Sequence, residues 1–251
     1  MTKKLILAAF VAAMAFTSCH KDPTPTPDPE PQTVTRLARE NGIRSNPMVT
    51  ATSSANYIWE NGNLMSVCDT VSMSLLTNAT QERMIYEDGK IVRIEEVSGK
   101  WEHHLIYDNN LIVNFLTIRN GDTVVWGTAS YNADGLVNEI LCHASIKTTK
   151  WNLTWVNGDA TEVVEQILEP EEVADTIVHT YTYDDKPCVY NGFPMAYSIF
   201  DGDGVRLSTR QSKHNKITEG YTYEYNDNGL LTSIVSDDDS RFYQYIEQTV
   251  E

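Results

Sequence analysis

The side chains that could do chemistry here are few, and their spacing argues against a catalytic constellation. His103 and His104 form the only histidine pair and follow Trp101 and Glu102. Neighbours on a strand point to opposite faces, so the two imidazoles do not share a metal ion. They read as ordinary strand positions, and replacing His103 is expected to matter little. Asp201, Gly202, Asp203, Gly204 looks like a fragment of a calcium loop, but the remaining ligands and the closing glutamate are missing, which leaves a turn. Asp237, Asp238 and Asp239 form an acidic run of the kind that flanks a strand as a solvated loop. No serine, histidine and aspartate set stands in a recognisable arrangement, and there is no phosphate loop or dinucleotide fingerprint. The expectation is therefore no catalytic residues, no cofactor and no metal. Paired carboxylates for sugar hydrolysis remain open, because their partners meet only in the fold.

One cysteine of the four carries a stronger signal. Lys3 and Lys4 precede an apolar stretch from Leu5 to Phe16 that is too short to span a membrane as a mature helix. It ends in Phe16, Thr17, Ser18, Cys19, which resembles a lipobox, with Phe16 where leucine is usual. Residues 1–18 read as a lipoprotein signal peptide and Cys19 as the lipidated (palmitate-type) mature N-terminus. Residues 19–33 read as the lipidated cysteine and a tether, since Pro23, Pro25, Pro27, Pro29 and Pro31 alternate with polar residues. Such a segment in polyproline II form reaches roughly 30 to 40 Å. His20, not Asp, after the cysteine suggests the outer membrane by analogy with lipoprotein sorting. Lys21 and Asp22 resemble the charged surface-export signal of lipoproteins from gut Gram-negative anaerobes, which points to display at the cell surface. Cys68, Cys142 and Cys188 cannot all pair and lack metal-knuckle spacing, so they read as buried small hydrophobes with at most one disulfide.

Composition narrows the partners. With 22% charged residues and a net charge of -16, the chain lacks the clustered Lys and Arg that hold a phosphate backbone, so nucleic acid is excluded as a partner. An acidic surface also repels anionic lipid heads, leaving the N-terminal lipid as the membrane link. Neutral or cationic partners are favoured, and a monomer is expected.

The elements that position these residues are marked by a repeat. From Tyr57 onward an aromatic residue, a short polar turn ending in Gly, and then aliphatic residues recur. The copies run Trp59 to Leu64 and Tyr86 to Ile91, and Trp155 to Gly158 repeats the opening. Tyr131 to Leu136 and Tyr225 to Leu230 carry one more turn residue, and Tyr107 to Leu111 has Asn110 where Gly would stand. Asn or Asp followed by Gly suits the two positive φ angles of a type I′ hairpin turn, and the longer copies fit a type I turn with a glycine bulge. The aromatic before each turn should face the aliphatic residue after it. Residues 34–251 thus read as one all-β domain, an antiparallel up-and-down meander of roughly 12 to 16 strands, curled or closed into a barrel-like sheet. Two stretches break the repeat. Thr161 to Ala174 reads as a strand followed by a loop or short helix, and the apolar run Phe193 to Phe200 as a segment that plugs or crosses the barrel.

The aromatic, turn, Gly, aliphatic pattern resembles the tyrosine and aspartate (YD) repeats of bacterial surface proteins. The stretches Tyr183 to Pro187, Ser212 to Asn215 and Tyr221 to Gly229 are similar to a Bacteroides-type lipoprotein domain family of unknown function. That family is described as porin-like, so the resemblance implies a barrel-like meander and supplies no activity or catalytic residues. The functional expectation is a non-enzymatic, surface-exposed binding or accessory lipoprotein that takes a glycan or lipid through aromatic side chains, with Trp59, Trp155 and Tyr223 as candidates. The alternatives are a carrier enclosing an apolar ligand, a structural adhesin-like protein, and a cryptic glycan-active enzyme. A transmembrane porin is disfavoured, because the chain is anchored through a spacer and ends in Val250 and Glu251 with no terminal aromatic.

Overall fold

Turn chemistry sets the frame. Asn61 and Gly62 (φ 48° and 79°), Asp88 and Gly89, Asn157 and Gly158, and Asn109 and Asn110 (48° and 70°) all place both central residues in the left-handed region that a type I′ turn demands. In the longer copies the Gly135 amide donates to the Asn132 carbonyl at 3.1 Å and the Asn132 amide to that of Leu136 at 2.9 Å, the expected type I turn plus bulge. Asn226 to Leu230 repeats it with both bonds at 2.9 Å.

The computed structural model describes residues 32–45, 49–73, 76–169, 172–200 and 202–250. The expected signal peptide, Cys19 and the tether up to residue 31 lie outside them. Gln32 already belongs to the first strand, two residues before the boundary read from the sequence. The strands in order are β1 (Gln32–Ser45), β2 (Thr50–Glu60), β3 (Asn63–Met73), β4 (Leu76–Glu87), β5 (Lys90–Glu96) and β6 (Trp101–Asp108). Then come β7 (Leu111–Arg119), β8 (Asp122–Tyr131), β9 (Val137–Ala144), β10 (Thr148–Val156), β11 (Asp159–Glu169), β12 (Glu172–Thr180) and β13 (Thr182–Pro187). Two helices follow, α1 (Met195–Ile199) and α2 (Gly204–Gln211), and then β14 (His214–Ile217), β15 (Thr222–Tyr225), β16 (Leu231–Val235) and β17 (Asp239–Val250). The described residues of the Thr161 to Ala174 stretch are therefore all strand, where a loop or short helix was expected after the first strand.

Fifteen strands make one antiparallel sheet, each neighbouring the next in sequence from β1 to β12, with β17 returning to pair with β1 and leading on to β16 and β15. Gln32 lies opposite Val250, and Arg44 opposite Asp239. The up-and-down meander is as expected, but among the described residues no ladder joins β12 to β15, so the sheet is not a closed barrel.

Between those two ends the chain makes its own short sheet, β13 with β14, and the two helices, and this insert fills the concave side. Phe193 packs edge-on against Tyr57 and Trp59 of β2, Phe200 lies 4.5 Å from the His103 ring of β6, and a Cβ on Gly204 would meet Trp151 of β10 at 2.6 Å. Strands far apart in sheet order thus touch one insert, so the sheet wraps around it. The apolar Phe193 to Phe200 run is the plug its composition suggested, with Ala196, Tyr197, Ile199 and Phe200 all buried.

The aromatic residues of the repeat share one role. Trp59 and Tyr86 face Leu64 and Ile91 across their own turns, as expected, while Tyr107 and Tyr131 face Ile112 and Val137, one residue past the Leu111 and Leu136 read from the sequence, and Trp155 faces Ala160. A ladder irregularity in each hairpin adds local twist. Their polar edges reach sideways to the preceding hairpin: Tyr86 to the Leu64 carbonyl at 2.9 Å, Tyr107 to Ile91 at 2.8 Å, Tyr131 to Ile112 at 2.8 Å and Trp155 to Val137 at 2.7 Å. The repeat therefore hydrogen-bonds each hairpin to the next at the turn end of the sheet. Burial pushes the Tyr86, Tyr107 and Tyr131 phenols up to about 12, so they remain donors at physiological pH.

On the convex side, β4 to β6 carry a charged ladder. Arg83 pairs with Glu95, Arg93 with Glu95 and Glu102, and His104 lies 3.2 Å from Glu102. His103, one residue away, points inward as strand alternation requires.

Candidate polar cavity between plug and sheet

Inward positions near the middle of the sheet are not all apolar. Strand parity places Asp69 beside the buried Val67 on β3 and Glu82 beside the buried Met84 on β4, while Tyr57 comes from β2 and Glu40 from β1. Tyr197 of α1 and Arg206 and Arg210 of α2, one helical turn apart, face them from the plug, and Arg241 of β17 completes the ring. Together they line a cavity of about 570 Å³. Asp203 caps α2 by accepting from the Val205 and Arg206 amides at 2.8 and 3.1 Å. Asp203 and Gly204 thus open a helix where the sequence reading expected a turn, while Asp201 lies outside the described residues.

Hydrogen bonds hold most of these groups in place. Glu40 Oε2 accepts from the Tyr190 hydroxyl at 2.8 Å and the Tyr57 hydroxyl at 3.4 Å, and its other oxygen lies 3.9 Å from Arg241. Arg241 also lies 3.6 Å from Asp239. Arg210 donates to the Tyr197 carbonyl at 2.8 Å and its guanidinium sits 4.5 Å from the Tyr197 ring centroid.

Among the polar atoms of the inward-facing side chains, Glu82 Oε2 is buried and has no hydrogen-bond partner among the described residues. Glu82 is only 7% exposed. Burial, reinforced by Asp69 and opposed by Arg210, Arg206 and a Tyr197 hydrogen bond, raises its carboxyl to about 7. Asp69 is raised as well, again chiefly by burial.

Two carboxyl side chains, Asp69 and Glu82, do line this space from neighbouring strands, diagonal to each other in the β3–β4 ladder. Glu96 stands opposite Glu82 in the ladder and is buried, but it does not line the cavity. His103 corrects a sequence expectation. It is a core residue 7% exposed, its Nδ1 is 2.7 Å from Thr117 Oγ1, and its ring lies 4.5 Å from Trp101 and from Phe200. Burial, then His104, pushes it down to about 3, so it stays neutral. Among the described residues no group of three His, Cys, Asp or Glu could hold a metal ion. Cys142 and Cys188 are buried as expected and Cys68 is only half-buried; no disulfide links them, and burial pushes the Cys188 thiol up to about 12.

The aromatic residues singled out from the sequence do not converge. Trp59 is buried, its indole N–H donating to the Leu37 carbonyl at 2.8 Å and its ring against Phe193. Trp155 belongs to the hairpin belt. Tyr223 accepts from the Thr218 amide at 2.7 Å and lines a separate cavity of about 280 Å³ with Tyr221 and Lys216. Sequence reasoning missed Glu40, Asp69, Glu82, Arg206, Arg210 and Arg241. The available signals were a charged residue at the parity of buried neighbours on β4 and two arginines at i, i+4 in the plug.

Fold and cavity define a porin-like antiparallel meander with a filled interior. A porin-like protein from Bacteroides uniformis, known from its crystal structure, matches with a TM-score of 0.51 at 12% identity, over 84% of this chain and 96% of that one. This likeness is one of fold. No protein-family model matches the chain, and no curated protein matches it.

Proposed function

We propose that the chain is an outer-membrane lipoprotein displayed at the cell surface, acting as a non-enzymatic binding or accessory module whose ligand occupies the cavity between plug and sheet. The observation that carries this reading is the cavity itself, polar, about 570 Å³ in volume and walled by side chains already fixed by their own bonds. Its placement supports an anchored module. The chain enters the domain at Gln32, at the turn end, and Glu40 lies eight residues further along β1, roughly 26 Å away. The lipobox at Cys19 supplies the anchor, and the charged ladder on the convex face argues against immersion, since each charge on a lipid-facing strand costs about 2 to 4 kcal/mol at the bilayer centre. The plug occupies the space an acyl chain would need, which favours a glycan over a lipid.

The test takes native protein and a Cys19→Ala chain. Mass spectrometry should find a diacylated Cys19 at the mature N-terminus, and Cys19→Ala should be released soluble and folded. Either protein is incubated with glycan arrays and lipid extracts, reading both retention and product. Product formation abolished by changing one carboxylate would make this an enzyme, and retention of nothing would return it to a structural role.

A further inference from the structure

We infer that a groove at the turn end of the sheet, between the tyrosine belt and the plug, is the seat of the chain's own proline-rich segment, residues 23–31. The groove has a volume of about 420 Å³. Tyr86, Tyr107 and Tyr131 floor it, Met195 of α1 stands in the opposite wall, and Gly62 lies at one end. Each tyrosine points inward by strand parity, and its hydroxyl is tied sideways to a carbonyl of the preceding hairpin. The ring therefore leans along the wall and offers a face to the groove. Trp59 is covered by Phe193, whereas these three half-buried rings have no aromatic neighbour among the described residues.

The occupant is selected by where the segment ends, by its length and by its charge. Gln32 pairs with Val250, and a Cβ on Gly62 would meet the Val250 side chain at 2.7 Å, so the segment joins the domain beside the end of the groove. The three tyrosines stand on β4, β6 and β8, so successive rings are two strand spacings, about 9.6 Å, apart. A polyproline II chain repeats every three residues, about 9.3 Å, and nine residues reach about 28 Å, against about 24 Å for the five spacings from β3 to β8. Pro23, Pro25, Pro27, Pro29 and Pro31 favour that form, and aromatic-lined grooves bind it because little order is lost on docking. Lys90 is the one charged side chain lining the groove; its Nζ lies 5.4 Å from the Tyr107 ring centroid and pairs with no carboxylate among the described residues. The segment brings Asp28 and Glu30 to it. Docked, it leaves Cys19 to Asp22, about 12 Å in the same form, between groove and lipid, which turns the hairpin end to the membrane and the larger cavity away from it. That orientation rests on the lipid at Cys19 proposed above; the docking does not.

The experiment treats the detergent-solubilised full chain with a carbodiimide, which joins a carboxylate to a lysine only where the two touch, and maps the products by mass spectrometry. Isotope-labelled and unlabelled chains are mixed, so products within one chain are told from products between chains. Asp28 or Glu30 should be joined to Lys90 of the same chain about tenfold more than to Lys213, which is exposed beside the Gly158 turn. Pro25→Gly, Pro27→Gly and Pro29→Gly together, outside the folded domain, and Met195→Trp, which fills the groove, should each lower the Lys90 product about tenfold, with near-ultraviolet circular dichroism reporting the fold. Should Met195→Trp fail to fold, the proline variant carries the test. Equal products at Lys90 and Lys213, products only between chains, or a Lys90 product indifferent to the substitutions would overturn the inference, and none of these results bears on a ligand in the larger cavity.

Discussion

Replacing Glu82 with Gln should change how stability depends on pH. Glu82 is 7% exposed, and its carboxyl is raised from 4.5 to about 7, first by burial and then by Asp69. An acid whose folded pKa lies above its unfolded value holds its proton more tightly when folded, so the folded state loses ground as pH rises from 4.5 towards 7 and stays penalised above that. A shift of this size corresponds to about 3 kcal/mol, at 1.36 kcal/mol per unit. His103 works in the opposite sense. Lowered from 6.5 to about 3, its contribution is fully present above pH 6.5 and is lost as pH falls towards 3. Subtracting parent from Glu82→Gln cancels the histidine and isolates the carboxyl. Urea unfolding at pH 4, 6 and 8 should show the advantage of Glu82→Gln growing by about 3 kcal/mol from the lowest pH to the highest. A difference that stays flat would mean that Glu82 is not desolvated beneath the plug, and the cavity as described would be wrong.

Four further outcomes are expected in thermal melts. Gly89→Val places a β-branched residue at φ 75° with open space around it, a pure backbone cost of about 1 to 3 kcal/mol; His103→Ala, which empties a site between Trp101 and Phe200, should cost at least about 2 kcal/mol and not be negligible. Gly127→Ala should destabilise by about 1 to 3 kcal/mol, because the added methyl collides with the Phe115 ring and the Leu141 carbonyl. Tyr107→Phe should cost about 1 kcal/mol by leaving the Ile91 carbonyl without its donor, and no loss would remove the hairpin-to-hairpin belt as a source of stability.

The sequence by itself determined the hairpins. Asn61 with Gly62 and Asp88 with Gly89 dictate positive φ over two adjacent residues, and alternation then sets which side chains face which. These are local rules, so strand order and the cross-turn pairs Trp59 with Leu64 and Tyr86 with Ile91 could be read in advance. The Asn120 and Gly121 turn escaped notice, because no aromatic precedes it. Whether the sheet closes could not be read, since that depends on whether β12 and β15 meet, and the insert between them intervenes. The role of the aromatics was also hidden: the same Tyr or Trp that would suit a sugar face is used to hydrogen-bond the neighbouring hairpin. The cavity was least legible of all. Glu82 and Arg210 are far apart along the chain, and nothing in the spacing of either announces the other. Only wrapping the sheet around the plug removes water from both and brings their charges together, which is why tertiary structure alone decided where the polar site lies.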